Sequence, residues 1–219
     1  MAIYILLLLI AAIIAYGIGS MDTLVLASNF VFHTNLRKLG KGSSFISNFR
    51  RVYGWKGVLM LLAVELVKDL VPILIGGLLL AVKKHFPIGC AFAGFCIVIG
   101  RLWPIFYSLK GSNAILPLIV AGMFMDKSIG IAVAAVAIIL VLWTKRLPLA
   151  AFAGAFVMIA VSVLVIDEKI ILILSVLTAA AVLLRHIPAV HRILKGFGEK
   201  LEFGKEDLSY KFDEDFKNS

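Results

Sequence analysis

The sequence predicts an all-α, polytopic membrane protein of about seven transmembrane helices joined by cytoplasmic motif loops, and three observations carry that prediction. Hydrophobic residues make up 62% of the 219 and charged residues only 16%, with a mean hydropathy of +1.04. That leaves too little polar surface to clothe a water-soluble domain of this size. Apolar stretches near the roughly 20 residues that a bilayer core demands recur along the chain. Short polar breaks (KKHFP, KGSN, MDKS, TKR and DEK) fall between them, where helices stop and start.

The first candidate, Ala2 to Phe32, has no Lys or Arg ahead of its apolar core and no clear cleavage site, so it reads as a retained helix. Gly57 to Val82 follows, and then Pro87 to Leu109, where Cys90 and Cys96 share one apolar segment. The two cysteines read as packing residues rather than a disulfide or a thiolate metal site. Ala114 to Met125 and Ile129 to Trp143 are short, which leaves a re-entrant pair or one broken helix open there. Leu147 to Ile166 and Ile170 to Leu184 complete the set.

Seven spans put alternate connections on one side. The loop at 33–56, the turn around Lys110, the TKR loop and the C-terminal region share a strongly basic face; the other has only Lys83, Lys84, Lys127 and Lys169. Cytoplasmic loops collect positive charge, so the basic face is read as cytoplasmic and the N-terminus as outside. From Glu199 on there are 4 Lys against 7 acidic residues, leaving 18 basic and 6 acidic before it. Residues 1–198 thus read as one membrane domain and 199–219 as a polar cytoplasmic tail. The embedded part faces something anionic, either phospholipid head groups or a phosphorylated substrate. Nucleic acid does not fit, because the basic groups are dispersed between spans with no compact nucleic-acid module.

Four groups carry chemistry. In the segment His33 to Lys56, the residues Gly40, Gly42, Ser43, Ser44, Ser47 and Asn48 precede Arg50 and Arg51. Small residues let a backbone close round an oxyanion while hydroxyl, amide and guanidinium groups donate to it. The same composition suits a solvated loop that only fixes membrane orientation. Glu65, Lys68 and Asp69 interrupt the second span at helical spacing and share one face. A charge at that depth costs at least about 2.5 kcal/mol unless paired or wet, so the face turns toward protein. It serves as an internal ion pair, as support for the basic loop, or as both. Arg101 lies near the cytoplasmic end of the third span with Trp103, Phe106 and Tyr107, which also suit an interfacial aromatic belt. Lys110, Gly111, Ser112 and Asn113 form a second small and polar turn. Arg185 and His186 end the last span, and His191 and Arg192 follow on a short amphipathic stretch. A His in that place is a helix cap or a group with a chemical task. No Ser-His-Asp order, HExxH, Walker loop or dinucleotide fingerprint occurs, and no cofactor or metal is indicated.

The order of these pieces resembles the bacterial acyl-phosphate-dependent glycerol-3-phosphate acyltransferases, seven-span inner-membrane enzymes with three cytoplasmic motifs. The likeness runs to about Gly196. A first motif, roughly GSGNxGATNxxR, looks like Gly40 to Arg51, with Lys41 in place of its Ser and Ser43 in place of its Asn. The pattern LLxDxxKG falls on Glu65 and Lys68. The second motif, GHxxPxFxxFKGGKG, is matched by Gly100, Pro104, Phe106, Lys110 and Gly111, with Arg101 for the His and Asn113 for the second Lys. TRYxSL resembles Thr144 to Leu149, and RHxxNIxRL is echoed by Arg185, His186 and Arg192, with Ala189 for the Asn.

The resemblance implies transfer of a fatty acyl group from acyl phosphate to the 1-hydroxyl of glycerol 3-phosphate, giving lysophosphatidic acid in a bacterial plasma membrane, with lipids as surroundings. It assigns His186, Ser47 and Asn48 to catalysis. Gly40, Gly42, Ser43, Arg51, Lys110 and Gly111 go to substrate binding, and Glu65, Lys68, Arg101 and Arg192 to support. Orientation and phosphate neutralisation would supply much of the barrier lowering, without a covalent acyl-enzyme. Two other classes stay open: a non-catalytic relative that binds a phosphorylated lipid or ligand, and a small transporter using Glu65, Lys68 and Asp69 as an ion path. Turnover of labelled glycerol 3-phosphate separates the first, and access from both membrane faces the second.

Overall fold

A computed structural model describes residues 2–23, 45–107, 111 and 113–196, giving the backbone alone at 2, 45–53 and 107. The described residues form seven α-helices: α1 (Ala2–Ser20), α2 (Phe45–Ala81), α3 (Phe86–Leu102), α4 (Ile115–Met125), α5 (Lys127–Thr144), α6 (Leu147–Val165) and α7 (Lys169–Leu194). A single 3-10 turn, Ile105–Tyr107, follows α3.

Local chemistry sets the boundaries. Pro104 excludes Trp103 from helical backbone, and Trp103 sits at φ −130°, ψ 69°, where α3 stops. Asp126 divides α4 from α5: its backbone is extended, and its carboxylate accepts from the Ser128 N–H at 2.7 Å, an N-cap. The short pair is therefore two separate helices. At 11 residues α4 is about 17 Å long, well short of the roughly 30 Å hydrocarbon core.

Four expected boundaries are corrected. The third span, expected from Pro87 to Leu109, leaves the α-helix after Leu102, where Pro104 stops it, and only the 3-10 turn follows. The first apolar run breaks at Met21 and Asp22, which are not helical; residues 24–32 of that expected span lie outside the described residues. The expected loop at 33–56 is helical from Phe45 on, so Ser47, Asn48, Arg50 and Arg51 stand on α2 rather than on a loop. Gly54, at φ 65°, ψ −168°, bends α2 between that first part and the rest, a conformation that a side chain disfavours. The last helix does not stop near Leu184 but continues through Pro188 to Leu194, taking His191 and Arg192 with it.

The two short helices lie at the centre. α3 packs against α1, α2, α4 and α7, and α4 against α2, α3, α5, α6 and α7. Ile97, Val98, Leu102, Leu118, Met158 and Val182 are buried among them. Outward, large apolar side chains such as Trp143 (82% exposed) and Leu164 (83%) face away from the core, as lipid contact demands. Among the described residues, four helices (α1, α5, α6 and α7) are long and apolar enough to cross a membrane. The Tyr16 hydroxyl donates to Trp103 O at 2.9 Å, joining the C-terminal ends of α1 and α3. Arg146 Nη1 donates to Ile193 O at 3.3 Å, adding the start of α6 to the end of α7.

Candidate active site

The site is built where α1 and α3 end. Glu65, Lys68 and Asp69 are buried on one face of α2, as their spacing requires. Glu65 Oε1 accepts from Arg101 Nη2 of α3 at 2.8 Å and from Lys68 Nζ at 3.4 Å. The Lys68 amine also donates to Met21 O, just past α1, at 3.2 Å, and lies 3.9 Å from Asp69 Oδ1. Two carboxylates thus meet two cations. Opposed charges at this separation offset part of the desolvation that burial imposes, and no net charge is left behind. The offset is incomplete. Asp69 is 0% exposed, yet neither of its carboxylate oxygens has a hydrogen bond among the described residues. The same holds for Arg101 Nε and Nη1 and for the hydroxyls of Ser20 and Thr23.

Gly111, from the second small and polar stretch, lies against the end of α3. A Cβ at Gly111 would collide with the carbonyl oxygens of Arg101 and Leu102, so only glycine lets the chain lie this close. Gly111 O accepts from Arg185 Nη2 of α7 at 3.5 Å, which fastens this residue to the last helix. Asn113 Oδ1 accepts from the Ile115 N–H at 3.2 Å and starts α4.

Next to Arg185, His186 is 5% exposed. Its Nδ1 lies 2.8 Å from Val182 O one turn back. A carbonyl only accepts, so Nδ1 carries the proton in the neutral ring and Nε2 holds a lone pair able to accept from a hydroxyl.

The structure thus brings Glu65, Lys68 and Arg101 into one cluster, and ties Gly111 to Arg185, the residue that precedes His186 on α7. Arg192 stands apart, exposed in the last turn of α7. Gly40, Gly42, Ser43 and Lys110 lie outside the described residues, as do the side chains of Ser47, Asn48 and Arg51. Three contributors had no assigned role in the sequence-based site, although two of them, Asp69 and Arg185, are among the groups the sequence marks out for chemistry. Asp69 and Arg185 had a signal: each adjoins an assigned residue. The stretch Ser20 to Thr23 had a fainter one, a few polar residues inside a run otherwise apolar. Among the described residues no group of three or more His, Cys, Asp or Glu gathers as a metal centre needs.

Comparison with known proteins gives a consistent result. A family model described as glycerol-3-phosphate acyltransferase matches residues 9–196. The glycerol-3-phosphate acyltransferase of Thermoanaerobacter sp. (strain X514) is 25% identical over 192 residues, which is 88% of this chain and 94% of that protein. Glycerol-3-phosphate acyltransferase 2 of Bacillus anthracis is 26% identical over 195 residues, 88% of this chain and 98% of that one. Among solved structures, the glycerol 3-phosphate form of PlsY (YgiH), an integral membrane glycerol 3-phosphate acyltransferase, superposes with a TM-score of 0.70 at 22% identity. It covers 89% of this chain and 96% of its own. At that identity the superposition speaks to the fold: an integral membrane helical bundle.

Proposed function

The chain belongs to the glycerol-3-phosphate acyltransferase family, and from that premise we propose that it moves a fatty acyl group from acyl phosphate to the 1-hydroxyl of glycerol 3-phosphate. The new bond joins the acyl carbon to the hydroxyl oxygen; the carbon–oxygen bond to the phosphate breaks, and lysophosphatidic acid and inorganic phosphate leave. One observation carries the reading. The hydrogen bond from Arg185, the residue before His186, to Gly111 O draws together two segments far apart in sequence, and Gly111 in turn lies against the end of α3, where Arg101 meets Glu65.

In this reading His186 Nε2 accepts a hydrogen bond from the acceptor hydroxyl and holds it toward the acyl carbon. Ser47 and Asn48, with Gly40, Gly42 and Ser43, cradle phosphate; Arg51 and Lys110 neutralise its charge, and Gly111 joins them in binding substrate. Glu65, Lys68 and Arg101 brace the cradle, and Arg192 supports from the end of α7. Cys90 and Cys96 are buried in α3 and take no covalent part. The basic end is cytoplasmic in a bacterial plasma membrane, the N-terminus lies outside, residues 1–198 form the catalytic unit and 199–219 a polar tail. A transporter would string its charged groups from face to face, whereas Glu65, Lys68, Asp69 and Arg101 gather in one place and neutralise one another.

The test is turnover. Purified protein is given labelled glycerol 3-phosphate with palmitoyl phosphate, then with palmitoyl-CoA. Labelled lysophosphatidic acid with the acyl phosphate alone is the expected result. Product only from the thioester overturns the donor, and no product from either donor overturns the activity.

A further inference from the structure

The sequence pattern gives Arg101 a supporting place, but its surroundings suit a more direct task. Its side chain is only 11% exposed, and Glu65 Oε1 holds Nη2 at 2.8 Å. Nε and Nη1 have no acceptor among the described residues. A guanidinium that is only a counter-ion to Glu65 would turn its fork onto the carboxylate, two N–H groups to two oxygens. Here one edge is held, and Lys68 holds the same Glu65 oxygen. Buried charged donors left unpaired are costly, so the arrangement is that of a receptor for an anion. The Arg101 backbone abuts Gly111, the residue that Arg185 contacts beside His186. The end of α3 that carries Arg101 is thereby tied, through Gly111, to the helix that carries His186.

Building on the acyl-transfer reading, we propose that Arg101 touches substrate: Glu65 positions its guanidinium, and Nε and Nη1 bind phosphoryl oxygens of one of the two phosphorylated substrates. Planar, two-pronged recognition of phosphate is the task at which Arg and Lys are least interchangeable.

The test is steady-state kinetics of the full chain in lipid nanodiscs, wild type against Arg101→Lys. Each substrate is varied while the other saturates, and inorganic phosphate is added as a competing probe. Lysine keeps the charge beside Glu65 and loses the fork. The expected result is a rise of about tenfold or more in KM for one substrate, a parallel weakening of inhibition by phosphate, and little change in kcat. The substrate whose KM moves identifies the source of the phosphoryl group. Unchanged KM for both substrates with unchanged phosphate inhibition overturns the proposal, whatever happens to kcat or thermal stability. If Arg101→Lys does not fold, Glu65→Gln replaces it: an acceptor remains, the hold loosens, and the same KM rises by a smaller factor, whereas no rise overturns the positioning. Calorimetric titration of glycerol 3-phosphate and inorganic phosphate separates this from the activity itself. Binding lost in Arg101→Lys supports the subsite even where wild type does not turn over; turnover with KM indifferent to Arg101 sinks the subsite and keeps the activity.

Discussion

Glu65→Ala tests how the centre of this molecule is held. The substitution removes the acceptor shared by Arg101 Nη2 at 2.8 Å and Lys68 Nζ at 3.4 Å, leaving Asp69 alone against two buried cations. Removing one partner of a buried pair costs about 3–5 kcal/mol, because the other charge stays behind. For a chain of this size each kcal/mol moves the midpoint by about 2–4 °C, so the apparent Tm should fall by roughly 6–20 °C. Glu65→Gln keeps an oxygen acceptor and should fall between the two. The double variant Glu65→Ala with Arg101→Met removes both charges together; Lys68 and Asp69 still balance, and most of the loss should be regained. A thiol-reactive fluorogenic dye is a suitable assay, since Cys90 and Cys96 are free, buried and exposed only on unfolding. A single-variant loss below about 1 kcal/mol, the range of solvated ion pairs, would refute the reasoning. So would a double variant whose loss is the sum of its parts.

The other predictions address the chemistry and its frame. His186→Ala should lower kcat by roughly 10²-fold or more while glycerol 3-phosphate still binds, checked by phosphate release against calorimetric titration. Gly111→Val should abolish turnover and lower the thermal midpoint, because the added carbons fall on the carbonyls of Arg101 and Leu102; activity and melting of the same preparation read both. Asp126→Ala loses the carboxylate that accepts from Ser128 N at 2.7 Å and should cost about 1 kcal/mol, seen in the dye melt, with both KM values unchanged.

The all-helical class and the order of the described helices were legible because apolar length and polar breaks are local signals. What escaped was local structure overridden by neighbours. Gly, Ser and Arg around 40–51 read as loop, yet Phe45 to Tyr53 contains no proline and no glycine, and the bend comes only at Gly54. The apolar run reads as ending at Leu184, yet the helix continues through Pro188, whose lost hydrogen bond and ring crowding fall on the carbonyl of Leu184, 66% exposed at the bundle surface. The buried face of α7 around His186 is unaffected. At the site, the one-face placement of Glu65, Lys68 and Asp69 follows from spacing alone. The partnership of Glu65 with Arg101 does not, since it depends on how α2 and α3 cross. The contact of Lys68 with Met21 O was hidden for the same reason, and because Ala2 to Phe32 read as uninterrupted.

The proposed reaction joins a water-borne acceptor to a lipid-borne donor, and the shortness of α3 bears on how they meet. Its 17 residues make about 26 Å, less than the roughly 30 Å of a hydrocarbon core. Pro104 enforces the stop, so Arg101 and the terminal carbonyls of α3 end inside the bundle rather than in open water. Polar groups at such depth need partners. On one side Glu65 of α2, itself held by Lys68, takes one edge of Arg101; on the other Gly111, tied to Arg185 of α7, lies against the carbonyls of Arg101 and Leu102. Each side alone is a way to make the helix end tolerable. Both sides around one truncated helix form a polar enclave bounded by apolar helices, where a phosphoryl group can be held while its acyl chain stays in lipid.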